Sequence, residues 1–144
     1  MKLKLDMDEM AEAFFEDARL LGIVAPIKDY QFCWQLNRLF HFNFRLNNNL
    51  EIQLTKKLIR FSFPVFDYEE PHNTLVHYLY NNKHSGEYLL PQFRHNDFLW
   101  LMKGDAVDDH KFENISRSIR QITGVQMVTE LMHEKLLHKG NLMF

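Results

Sequence analysis

The stretch Tyr88-Leu89-Leu90-Pro91-Gln92-Phe93-Arg94-His95-Asn96-Asp97-Phe98-Leu99-Trp100-Leu101 decides how this chain is read. Two apolar runs flank a polar break that holds a proline, amide side chains and one acid. Short apolar runs bounded by breakers predict buried strands. The reading is a pair of strands over 87–90 and 96–103 with a fold-defining turn between them. Pro91 ends the first strand, and Asp97 lies inside the second, where a buried carboxylate must find donors.

Upstream of this pair the signals alternate between period two and period 3.6. Residues 2–6 alternate as a short edge strand would, and Met7, Met10, Ala11 and Phe14 then fall on one helical face. Asp6 with Glu9 resembles a capping box. The expectation is a helix over about 7–15, giving way to a strand over about 16–24. Pro26 separates that strand from a second helix over about 27–41, whose apolar stripe is Phe32, Cys33, Leu36, Leu39 and Phe40. Tyr30 and Trp34 lie off the stripe, so a second face of this helix is expected to be partly covered. Asn47-Asn48-Asn49 reads as the turn of a hairpin between 42–46 and 50–54.

Residues 57–68 alternate as a half-buried strand, with Pro64 requiring an edge or a bulge. Glu69 to Asn73 turns the chain into a strand over 74–81, and the polar run Asn81 to Gly86 closes another hairpin. Downstream, Asp108 or Asp109 caps a helix over about 108–122 with the stripe Phe112, Ile115, Ile119 and Ile122. Gly124 follows where a left-handed residue is wanted. A strand over 125–130 and a short helix over 131–138 complete the chain. Two strand–helix–strand units therefore bracket a meander. The fold class is α+β, a mostly antiparallel sheet of six to seven strands with two main helices on one face. A ferredoxin-like core with inserted hairpins is the topology this order suggests first.

At 144 residues the chain is expected to be one domain over 1–144. Thirteen Phe, five Tyr and two Trp make 14% of it, enough large rings for a sizeable core. The net charge of −2 lacks the basic surplus of a phosphate-binding surface, so nucleic acid is not an expected partner. No apolar run approaches the roughly 18 residues a membrane span needs, and the start lacks a signal-peptide core. One cysteine, Cys33, leaves no internal disulfide and fits a reducing cytoplasm.

Chemistry-bearing patterns are sparse. The eight histidines include His72 with His77 and His133 with His138, each pair five apart, which fits no metal-ligand spacing. They read as structural or solvated, and no metal or cofactor is expected. Cys33 sits within the helical stripe and reads as a small hydrophobe. Nucleophile-elbow, dinucleotide and P-loop signatures are absent from the sequence. The acidic runs at 67–70 and 105–109 read as solvated turns. The rows Tyr78/Tyr80 and Phe61/Phe63 lack the surrounding Lys and Arg of a base-stacking platform, so they read as core or as a self-association surface.

The segment Leu90-Pro91-Gln92-Phe93-Arg94-His95-Asn96-Asp97-Phe98 resembles the naming motif of the bacterial IPExxxVDY family, a group of uncharacterised function. Pro91 and Asp97 match it outright, Leu90 and Phe98 are mild changes, and Gln92 stands where the family has an acid. Ile27-Lys28-Asp29-Tyr30-Gln31 with Leu36-Asn37-Arg38 resembles the family's helix, and Asn141-Leu142-Met143-Phe144 resembles its ending. The resemblance implies a cytoplasmic bacterial protein and brings no activity, cofactor or partner with it. The amide at Gln92 cannot serve as a base or ligand in place of a carboxylate, which argues for a structural role. The sequence thus points to a non-catalytic binding or protein-interaction domain that self-associates as a homo-oligomer, leaning away from an enzyme. The alternative is a small-molecule or enzymatic site, with Asp29, Tyr30, Gln92 and Asp97 gathered around a cleft near the Leu90–Phe98 motif.

Overall fold

The computed structural model describes residues 2–104 and 107–144, with the backbone alone for residues 2–8. Its centre is a strand buried on both sides, β7 (Phe98–Lys103). Phe98, Trp100 and Met102 face one core and Leu99 and Leu101 the other, as period-two alternation requires. On one side β7 pairs with β4 (Val76–Asn81), on the other with β1 (Ala18–Val24). The full order is β2-β3-β4-β7-β1-β8, where β2 is Arg45–Lys56, β3 is Ile59–Glu69 and β8 is Met127–Leu131. Every pairing in this sheet is antiparallel.

Helix α2 (Asp29–Phe40) connects β1 to the β2–β3–β4 meander, and helix α3 (Asp109–Ile119) connects β7 to β8. The four strands β4-β7-β1-β8, with α2 and α3 as connections, have the order of a ferredoxin-like core. The hairpin β2–β3, inserted after α2, extends the sheet beyond β4. Both helices lie on one face. Phe32, Cys33 and Leu36 of α2 and Phe112, Ile115 and Ile119 of α3 pack on Leu21, Ile23, Leu79 and Trp100. Asp108 caps α3 by accepting from the Lys111 N–H at 2.7 Å, and Gly124 takes a left-handed φ of 98° in the turn beyond the helix.

The opposite face is covered as well. Helix α1 (Lys2–Phe15) and the C-terminal segment 132–144 bury Phe15, Leu136 and Leu142 against Leu20, Val65, Tyr80 and Leu101. A sheet buried on both faces explains the aromatic load: Phe63 and Tyr80 are buried in this second core, with Phe61 and Tyr78 packed at its margin.

Several expectations are corrected. Residues 2–6 belong to α1 rather than to an edge strand, so Asp6 lies within the helix and does not cap it. No Gly or Pro interrupts this stretch, and Met10, read on the apolar face, is exposed, whereas Ala11 and Phe15 are buried. Asn47-Asn48-Asn49 is not a hairpin turn. It lies within β2, where the register against β3 shifts by three residues between Leu46 and Glu51. The bulge is held by Asn47, whose Nδ2 donates to Asp67 and whose Oδ1 accepts from the Asn49 N–H. The turn instead falls at Lys57-Leu58, both with left-handed φ (50° and 67°). Pro64 sits in an interior strand, opposite Glu51 where the bulge ends.

The strands expected over 87–90 and 96–103 do not pair. The second is β7, but of the first only β6 (Glu87–Tyr88) is extended, and it pairs with β5 (Lys83–His84) in a separate two-stranded sheet closed by Ser85-Gly86. Residues 131–138 hold a single 3-10 turn, His133–Lys135, because that segment is a strap whose backbone follows the core surface rather than itself.

Candidate functional site

The polar break that opened the sequence reading folds around Asn82, which is buried. Its Nδ2 donates to the carbonyls of Phe93 and Asn96, both at 3.0 Å, and its Oδ1 accepts from the Leu90 N–H at 2.8 Å. Its backbone bonds Leu89 and Asp97. Asp97 then ties the loop to the end of β1: its Oδ2 accepts from the Ala25 N–H at 2.7 Å, and its own N–H donates to the Ile23 carbonyl. Pro91 opens a 3-10 turn over Pro91–Phe93, where its missing N–H costs nothing. The Gln92 Oε1 accepts from the Leu137 N–H at 2.7 Å. A carboxylate in its place would accept the same bond.

Asp29 lies at the start of α2, its Oδ1 accepting from the Tyr30 N–H and its Oδ2 from Asn81 Nδ2 at 2.9 Å. Asn81 pairs with Phe98, so Asp29 and Asp97 share one end of the sheet. Gln92 binds the C-terminal strap on the opposite layer, and the Tyr30 side chain is exposed. None of five surface depressions found on the molecule is lined by Asp29, Tyr30, Pro91, Gln92 or Asp97. These residues act as fasteners between segments.

A second polar network runs from the middle of the sheet to the surface. Trp100 Nε1 donates to His77 Nδ1 at 3.0 Å, and His77 Nε2 meets Glu70 Oε2 at 2.6 Å. Glu70 Oε1 accepts from Lys111 Nζ at 2.7 Å and from Asn73 Nδ2 at 3.0 Å. An indole can only donate, so His77 Nδ1 accepts and Nε2 carries the proton. The imidazole is neutral, and burial pushes its pKa below the ordinary value against the pull of Glu70. Burial alone would raise the Glu70 carboxyl, but hydrogen bonds from Lys111, His77 and Asn73 outweigh it and bring it down to about 2. Phe42, Tyr68 and Trp100 enclose the His77 ring. With both nitrogens bonded and no exposure, His77 cannot take a proton from a substrate.

Above this network, between the end of α2 and α3, lies a depression of about 600 Å³. The Phe40 and Phe42 rings, stacked at 5.2 Å, form its apolar side. His110, Asn114 and Ser118, spaced four apart on α3, form its polar side, and Glu70 with Lys111 closes one end. Elsewhere, the outer face of α2 presents Tyr30 and Trp34, each 59% exposed, where the sequence reading expected cover. Lys28 approaches the Tyr30 ring and Arg38 lies 4.8 Å over the Trp34 ring.

Burial, together with the charge of Asp29, pushes the Cys33 thiol up to about 12, which removes it as a nucleophile. Among the described residues no group of three or more His, Cys, Asp or Glu is placed to hold a metal ion. No helix among them is long and apolar enough to cross a membrane. The sequence reading missed Asn82, Glu70, His77 and Lys111. A strand register would have found one pair: with Tyr68 opposite His77, the turn at 70–75 folds Glu70 back beside the imidazole. No such local signal marks Asn82 or Lys111, whose partners come from distant segments. No protein-family model matches the chain, and no curated protein matches it either.

Proposed function

We propose that this protein is a non-catalytic interaction domain that self-associates through the outer face of α2. The observation that carries the reading is the pair Tyr30 and Trp34, one helical turn apart and both largely open to solvent. Aromatic rings beside cations are typical anchors of protein interfaces. An isologous contact suits this stripe, because two copies of α2 crossing antiparallel at Trp34 bring Arg38 of each near Asp29 and Tyr30 of the other. Lys28 and Arg38 each lie against a ring of the stripe, and neither has an ion pair among the described residues, so both charges remain open to a carboxylate across such a contact. The engaged nitrogens of His77 and the raised Cys33 thiol support the non-catalytic side of the reading. The motif Leu90 to Phe98 supports kinship with the IPExxxVDY family, and with it a bacterial cytoplasmic setting.

Size-exclusion chromatography with light scattering across a dilution series tests the reading. A concentration-dependent dimer that Trp34→Ala abolishes is expected. A strict monomer at all concentrations overturns self-association.

A further inference from the structure

The Glu70–Lys111 pair lines the depression, with the Lys111 side chain 38% exposed and the Glu70 side chain 11%, and it has unused bonding capacity. A carboxylate offers about four acceptor positions, and an ammonium three protons. Glu70 Oε1 takes Lys111 and Asn73, whereas Oε2 takes only His77. Lys111 Nζ gives one proton to Glu70 and, among the described residues, makes no other hydrogen bond or ion pair. One acceptor site and two donor sites therefore remain beside each other, on groups of opposite charge 2.7 Å apart. The pair has no net charge, so neither a simple cation nor a simple anion is favoured. The matching ligand carries both charges on adjacent positions, as the ammonium and carboxylate of an α-amino acid do. Such a ligand would lie head to tail against the pair: ammonium on Glu70, carboxylate on Lys111.

The rest of the depression suits what such a molecule carries besides its charges. Phe40 and Phe42 present stacked rings with Ile115 beside them, a surface for an apolar side chain. Asn114 and Ser118 supply further hydrogen-bonding groups along α3. The volume lies within the range of small-molecule sites, about 300–1,000 Å³. The Glu70 side of the pair, which would meet the ligand's ammonium, is anchored through His77 to Trp100 in the central strand. We infer that the depression between α2 and α3 binds a free α-amino acid with an apolar side chain, its zwitterion paired with Glu70 and Lys111. This site is separate from the outer face of α2 and does not depend on self-association.

Isothermal titration calorimetry of the full chain with L-phenylalanine and L-leucine tests the inference. N-acetyl-L-phenylalanine, which lacks the ammonium, and L-phenylalaninamide, which lacks the carboxylate, are the controls. Saturable binding of a free amino acid is expected, with each blocked analogue weaker by about tenfold or more, the usual effect of losing one charged hydrogen bond. Lys111→Gln should lower affinity similarly; because it also removes a partner of Glu70, its binding is read below the unfolding transition measured for the variant. Trp34→Ala should leave amino-acid binding unchanged. Absence of saturable binding for both amino acids, or equal binding of the blocked analogues, overturns the inference.

Discussion

Asn82 shows how much of this structure depends on single buried amides. Its side chain bonds two carbonyls and one N–H of the loop from Leu90 to Asn96, and the bonds to Asn96 and Leu90 are buried. Asn82→Ala leaves the Leu90 N–H and the Asn96 carbonyl unpaired, while the Phe93 carbonyl keeps the Asn96 N–H, a loss of about 2 kcal/mol or more. The urea midpoint should fall accordingly, and amide exchange should accelerate first at Leu90. A change confined to the loop's exchange rates, with no global loss, would show that the loop is not integral to the sheet. Gly22 belongs to the same neighbourhood: a Cβ there would lie 2.8 Å from Asn96 Oδ1, so a side chain at this position requires the Asn96 amide to move. Asp97 and Gln92 work likewise as acceptors for N–H groups distant in sequence. Their identities were visible in the sequence, but their partners, Ala25 and Leu137, were not.

At the scale of the element, the β2–β3 hairpin separates intrinsic preference from context. Three consecutive asparagines carry the strongest turn signal in the chain, yet they form a bulge. Lys57 and Leu58 make the turn, with Leu58 99% exposed in a left-handed conformation. A branched, bulky residue with positive φ costs about 1–2 kcal/mol, so the long pairing of β2 with β3 on either side must hold it there. Replacing Lys57-Leu58 with Asn-Gly should raise stability by about 1 kcal/mol, because both positions then prefer the required turn. Thermal unfolding measures this, and an unchanged or lower melting temperature would contradict the turn assignment. Helices α2 and α3 behaved more simply. Their apolar stripes are buried where period 3.6 put them at Phe32, Cys33, Leu36, Phe112, Ile115 and Ile119, because each packs one face on the sheet, but Leu39, read as part of the α2 stripe, is exposed.

Across the whole molecule, the chain from Trp100 through His77 and Glu70 to Lys111 joins the central strand to the outer helix layer. Its titration couples to global stability with a definite sign. The folded Glu70 carboxyl lies near 2 against an ordinary 4.5, so its contribution is present above about pH 4.5 and is lost as pH falls toward 2. The folded His77 also titrates below its ordinary 6.5, so the unfolded chain binds that proton first, and stability declines as pH falls below about 6.5. Both effects act in the same direction. Urea midpoints should drop from pH 7 to pH 3.5, and Glu70→Gln should reduce that drop while lowering stability at pH 7. An identical pH profile in the variant would remove Glu70 as its source.

The sequence by itself determined the α+β class, the central two-sided strand, the apolar stripes of α2 and α3 and the two strand–helix–strand units. These follow from periodicity and breakers acting over a few neighbouring residues. Only the tertiary structure decided that α1 and the C-terminal strap cover the second face of the sheet. It also moved the hairpin turn from the asparagines to Lys57-Leu58, and it separated Gln92 from Asp29. The Glu70–His77–Trp100–Lys111 network likewise exists only in three dimensions. In each case the deciding partner lies far along the chain, and burial on both faces of the sheet outweighs the local preference of the residues involved.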